Sequence, residues 1–200
     1  MRKPAVLITG ANGEIGHGLI DQLAQDPSRA IVTLDLAPLD PALGKHVHRE
    51  VTGSIMDRGL LDRILAEFDV DLVFHLAALL STRSEFSPLT AHEVNVGGTL
   101  NLLEFAQAQS STHGRPVVFM YPSSIAVYGL TRETKLGAGK VREDQFTEST
   151  TMYGCNKLYC EQLGRYYMRH YKQLSAEPSS GHVDFRGLRF PGLISAMTVP

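Results

Sequence analysis

The sequence predicts an α/β protein, a doubly wound parallel sheet with helices packed on its faces. Three observations predict it. Short apolar runs of strand type alternate with helical patterns along the chain. A glycine-rich turn, Gly10-Ala11-Asn12-Gly13-Glu14-Ile15-Gly16, directly follows the first apolar run. The residues that stand out chemically (Gly10, Asp35, Ala77, Ser124 and Pro191) all fall where a strand ends. In such sheets the ligand crevice lies outside the carboxyl ends of the strands.

Taken in order, the first strand is Ala5-Val6-Leu7-Ile8, and the glycine turn opens a helix reaching about Gln25. Ala30–Leu34 form a second strand ending at Asp35. A short third strand is expected near Val47–Val51, where His46 and His48 could share one side. A helix from about Asp57 to Glu67 leads to a fourth strand, Val70–Ala77. A long helix from about Leu89 to Gln109 carries Asn95. Pro116–Tyr121 is a fifth strand running into Ser123-Ser124. The Gly- and charge-rich stretch Leu130–Thr151 reads as a loop. A helix from about Thr151 to Tyr171 follows, then a polar linker, Glu177–Gly181, and a sixth strand, Val183–Phe190.

Composition narrows the function classes. Two hundred residues, 43% of them hydrophobic, suffice for one sizeable core. A net charge of -2 and a pI near 6.4 give no electrostatic case for nucleic acid or an anionic membrane. The N-terminal apolar run is too short for a signal peptide, and no stretch approaches a membrane span. Two cysteines, Cys155 and Cys160, suit a reducing, cytoplasmic setting and read as packing residues. The eight histidines are scattered, and no metal site is expected.

The motifs carry chemistry. In the Gly-x-x-Gly-x-x-Gly turn, glycine lets the backbone approach a pyrophosphate whose charge the helix N-terminus favours. Asp35 lies 19 residues past Gly16, where a carboxylate can bind an adenosine ribose and repel a 2′-phosphate. That favours NAD over NADP. Asp57 could cap its helix or bind the adenine amine. Tyr153 and Lys157, four apart on a helix, share one face, so the ammonium is expected to lower the phenol pKa toward neutrality. Ser124, 29 residues before Tyr153, could reach a substrate hydroxyl or carbonyl.

The ordered set comprises the glycine turn, His75-Leu76-Ala77-Ala78, Asn95-Val96-x-Gly98-Thr99, Ser123-Ser124-x-x-Val127-Tyr128-Gly129 and Tyr153-x-x-x-Lys157. It resembles the extended short-chain dehydrogenase/reductase family (NAD-dependent epimerase/dehydratase). The resemblance implies a Rossmann fold, with Ser124 as substrate-oriented hydroxyl and Tyr153 as catalytic acid/base. Lys157 would bind the nicotinamide ribose and lower the Tyr153 pKa. The cofactor-binding set it implies is Gly10, Asn12, Gly13, Glu14, Ile15, Gly16, Asp35, Asp57, Leu76, Ala77, Ala78, Asn95, Tyr153, Lys157 and Pro191.

Within that family, Ala77–Ser81, Pro122–Val127 and Arg189–Ser195 look like the short-chain type of L-threonine 3-dehydrogenase. Epimerases usually carry Tyr/Phe-x-Asn-x-Tyr-Gly-Pro where this chain has Phe190-Pro191-Gly192-Leu193-Ile194-Ser195. The expected reaction is NAD-dependent oxidation of a secondary alcohol, most like L-threonine to 2-amino-3-ketobutyrate. The alternatives are a nucleotide-sugar 4-epimerase or dehydratase with bound NAD, and a non-catalytic NAD-binding fragment. Substrate contacts are expected from Ser81, Ser123, Ser124, Tyr153, Gly192 and Leu193. Residues 1–175 would form the NAD-binding domain and 176–200 the sixth strand and the start of a largely missing substrate region. Family members commonly pair as homodimers through their two long helices.

Overall fold

The computed structural model describes residues 3–177 and 179–193. Six parallel strands, β1 (Pro4–Thr9), β2 (Ala30–Asp35), β3 (Arg49–Thr52), β4 (Asp69–His75), β5 (Val117–Ser124) and β6 (Val183–Phe190), form one sheet. Their order is β3-β2-β1-β4-β5-β6, so the chain reverses its winding direction between β1 and β4. The mouth of that reversal is where open α/β sheets bind ligands. The sixth strand is a full member of the sheet, in register with β5 from Val117↔Val183 to Ser124↔Phe190.

Alternation along the strands builds a core on each face. Ala5 and Leu7 of β1, Val32 and Leu34 of β2 and Phe119 of β5 face one layer. There they meet α3 (Arg58–Glu67), α6 (Gly98–His113) and α8 (Met152–Arg169) through Leu61, Ile64, Leu102, Leu103, Cys160 and Tyr167. Val6, Ile8 and Ile31 face the other, against Ile20 of α1 (Glu14–Leu23) and Leu43 of the short α2 (Pro41–Gly44). Each Val, Leu, Ile or Phe side chain buried this way contributes about 1.5–3 kcal/mol, which sets the sheet as the rigid frame of the cleft.

Several elements depart from the sequence expectations. The third strand starts at Arg49, because Lys45 and His46 form the turn that leaves α2. His46 and His48 therefore lie outside the strand and do not share a strand face. The helix expected from Leu89 to Gln109 is divided into α5 (Pro88–His92), a π turn (Glu93–Gly97) and α6, and a further short helix, α4 (Ser81–Phe86), precedes it. Pro88 pushes Ser87 out of helical conformation, φ -138° and ψ 68°. The stretch Leu130–Thr151 holds a helix, α7 (Arg132–Ala138), with Thr131 Oγ1 accepting from the Thr134 amide at its start. None of its residues is buried, so no apolar stripe announced it. Cys160 is packed in the core as expected, but Cys155 is exposed, and both thiols are free.

Candidate functional site

A cleft of about 460 Å³ opens at the carboxyl ends of β1, β2, β3 and β4. Its floor is the turn after β1, with Gly10, Asn12, Gly13, Glu14, Ile15 and Gly16. Asp35 and Leu36 close the β2 side, Gly53, Ser54 and Ile55 the β3 side, and Leu76 to Leu80 the β4 side.

Two glycines are required by space. Gly10 has φ +69°, and a Cβ there would lie 2.6 Å from the Ala77 nitrogen. A Cβ on Gly16 would lie 2.3 Å from the Ala11 carbonyl oxygen. The turn and the first coil of α1 are therefore pressed against the β4 exit and the β1 exit. Gly13 is the N-cap of α1 and offers no side chain to its first amides. Those amides, at the positive end of the helix dipole, are left for an anion. At the far wall the Asp35 carboxylate accepts from the Asn12 amide at 2.9 Å and the Ala37 amide at 3.3 Å. Asn12 in turn donates its side-chain amide to the carbonyls of Ala37 and Pro38. The donor set, the backbone cradle and the carboxylate fit the pyrophosphate and ribose of a dinucleotide.

Tyr153 and Lys157 are in the first turns of α8, whose start Thr151 caps by accepting from the Gly154 amide at 3.0 Å. The Lys157 side chain runs back under β5. Its Nζ donates to the Pro122 carbonyl at 2.7 Å and sits 4.5 Å from the centre of the Tyr121 ring and 5.5 Å from that of Tyr153. The residue is only 3% exposed, and burial pulls its pKa down to about 8, an effect the neighbouring Cys160 thiol partly opposes. The expectation that Lys157 lowers the Tyr153 pKa is corrected here: burial raises the phenol above its ordinary value. The cause is desolvation, which disfavours the charged phenolate.

The remaining expected site residues divide sharply. Gly10, Asn12, Gly13, Glu14, Ile15, Gly16, Asp35, Leu76, Ala77, Ala78 and Leu193 line the cleft. Asp57 lies outside its walls and caps α3, accepting from the Leu60 amide at 3.0 Å. Asn95, 3% exposed, spends its amide on the Leu79 backbone, accepting from the nitrogen at 2.7 Å and donating to the carbonyl at 3.0 Å. It fixes the Leu79 backbone in the cleft wall. Ser124 Oγ accepts from the Ala126 amide at 3.1 Å, starting the single 3-10 turn Ile125–Val127. Ser123, expected to contact substrate, is instead buried and donates to Glu161. Ser81 and Pro191–Gly192 are exposed at the rim, and Ile194 and Ser195 lie outside the described residues.

Residues that sequence missed include Gly53, Ser54 and Ile55, whose position just past a strand was a usable signal, and Leu79, Leu80 and Val94. A buried chain also went unread. Thr99 Oγ1 donates to the Asn95 carbonyl, so His75 Nε2–H donates to Thr99. That tautomer leaves Nδ1 to accept from Thr9 Oγ1, which accepts from the Ala77 amide. His75 is held neutral by this chain, with burial, helped by the Lys157 charge, pulling its pKa down to about 3.

Comparison with known proteins bears on the fold and the family. The model of the NAD dependent epimerase/dehydratase family matches residues 6–181. A Staphylococcus epidermidis protein described as an uncharacterized epimerase/dehydratase is 33% identical over 199 residues. The match takes in 98% of this chain but only 55% of that relative. The GalE-like L-threonine dehydrogenase of Cupriavidus necator, in its holo form, is 33% identical with a TM-score of 0.79, over 98% of this chain and 58% of that one. The UDP-glucose 4-epimerase of Thermotoga maritima, solved with UDP-glucose, is 26% identical with a TM-score of 0.69, over 84% and 52%. The chain belongs to the NAD dependent epimerase/dehydratase family, whose cofactor is NAD, and spans about half the length of such relatives.

Proposed function

We propose that this member of the NAD-dependent epimerase/dehydratase family takes part in oxidising a secondary alcohol of the L-threonine type. What supports the reading is buried Lys157, set beside the Tyr153 ring and bound to the Pro122 carbonyl two residues before Ser124, together with a cleft whose glycine cradle and Asp35 fit a dinucleotide. The likeness to a threonine dehydrogenase at 33% identity supports the substrate class.

Bound NAD supplies the hydride acceptor. The amides at the start of α1 would hold its pyrophosphate, and Asp35 its adenosine ribose. Ser124 would orient the alcohol oxygen by donating its hydroxyl hydrogen, with one of its two lone pairs capping the 3-10 turn. Tyr153 would take the hydroxyl proton. Burial favours its neutral form, so the phenolate depends on the Lys157 ammonium nearby, in a site where water screens little. The Lys157 stem is already threaded under β5, which fixes that charge before any substrate arrives.

A substrate panel followed at the NADH absorbance tests the reading. Threonine-dependent NADH formation is expected. The likeness to a UDP-glucose epimerase at 26% identity supports a second reading, sugar isomerisation. It would show as conversion of a nucleotide sugar without net NADH, because the hydride returns within each turnover.

A further inference from the structure

We infer that Glu161 and Arg189 form a positioning pair that fixes the proton-transfer helix to the strand carrying Ser124. This rests on the function proposed above and adds two residues to it. Tyr153, Lys157 and Glu161 are spaced i, i+4 and i+8, so they form one stripe along α8 facing the end of β5. Successive residues of β5 are gripped by that stripe. The Pro122 carbonyl accepts from Lys157, and the Ser123 hydroxyl donates to Glu161 Oε1. Ser124 is the next residue along.

Arg189 completes the clamp from β6, where it is the direct register partner of Ser123. Its Nε and Nη2 make a two-pronged pair with Glu161 Oε1 and Oε2, at 2.9 and 2.7 Å. The side chains are only 11% and 7% exposed. The third prong, Nη1, donates to the Glu143 carbonyl at 2.7 Å, and the guanidinium lies 4.8 Å over the Tyr128 ring. Arg189 thus joins β6, α8, the turn after Ser124 and the segment leading into α8.

A buried ion pair is weak evidence for stability, because an apolar pair of similar volume often serves as well. A bidentate fork does impose geometry that apolar contacts do not. Losing it would let α8 rotate or slide against β5, carrying Tyr153 away from Ser124. The dinucleotide cradle, built on β1 to β4, would be untouched.

The test compares Arg189→Met, Glu161→Gln and the double variant Glu161→Gln/Arg189→Met, which leaves no lone buried charge and keeps an acceptor for Ser123. Single variants are expected to lose both melting temperature and kcat. The double variant is expected to regain melting temperature yet keep kcat depressed by at least about tenfold, toward the ~100-fold that a 1 Å misplacement costs. Its KM for NAD should stay near that of the unaltered chain. Full recovery of kcat along with stability would overturn the proposal.

If the unaltered chain oxidises no alcohol, the function proposed above fails while the clamp remains testable by amide hydrogen exchange. Arg189→Met should then speed exchange in the elements it joins, residues 118–124 and 155–165, while leaving β1 and β2, residues 5–9 and 31–35, unchanged. Loss of protection spread evenly over both regions, or no loss in either, would sink it.

Discussion

At the β1 end of the cleft the chain presents backbone, and at the β5 end it presents buried charge. Gly10 and Gly16 let the backbone pack tightly against Ala77 and Ala11, Gly13 leaves the first amides of α1 without a side-chain cap, and Asp35 is a carboxylate at the mouth. Around β5 and α8, Lys157, Glu161 and Arg189 are sealed under strands and held by carbonyls, a serine and one another. The first region recognises by shape with little desolvation cost. The second keeps ionised groups out of water, which is tolerable only with their partners in place. Binding and proton transfer should therefore be separable by mutation.

The largest expected effect is that of Tyr153→Phe. It should lower kcat by about 10²–10⁴-fold with NAD affinity intact, measured by initial rates and by calorimetric titration with NAD. An equal loss in both would mean that the two regions are one unit. Gly10→Ala attacks the other side. Its φ of +69° alone implies roughly 1–3 kcal/mol of strain, before the approach to the Ala77 nitrogen is counted. Lower stability in denaturant and weaker NAD binding are expected together.

His75 lies between the two regions and gives a pH test. Its folded pKa of about 3 is far below the ordinary 6.5, so the unfolded chain binds a proton that the folded one refuses. Stability should therefore fall as pH drops from 6.5 toward 3, by a few kcal/mol at most. Carboxylates lowered in the fold, such as Glu161, add their own loss only below their ordinary 4.5. His75→Gln should flatten the slope of melting temperature between pH 6.5 and about 4.5. The smallest effect is that of Asp35→Ser, which should weaken NAD by about tenfold and narrow its advantage over NADP.

This contrast also explains what could be read from the sequence. The glycine turn, Asp35 and the alternation of strands with helices follow from local patterns, because backbone approach needs particular residue types at neighbouring positions. Tyr153 and Lys157 were legible as an i, i+4 pair. Their electrostatics were not, because the cause is burial under Pro122 and Tyr121, more than thirty residues away. Asn95 was visible as a polar helix residue, while its attachment to Leu79 depends on the loop it meets. Arg189 stood in a recognisable stretch, yet only the β5–β6 register shows that it faces Ser123. Helix α7 was missed because it buries no residue and so carries no apolar stripe.

The π turn at Glu93–Gly97 bears on how the gene tolerates insertions and deletions. A π turn holds one residue more than the α-helix it interrupts. Deleting a single codon there, at Val94 for example, would restore a regular coil and turn everything before it by about 100° relative to α6. Asn95 would then swing off Leu79, and the β4 wall of the cleft would lose its anchor. A deletion there should be as poorly tolerated as one inside α6, although a one-residue loss in this turn would make the helix more regular.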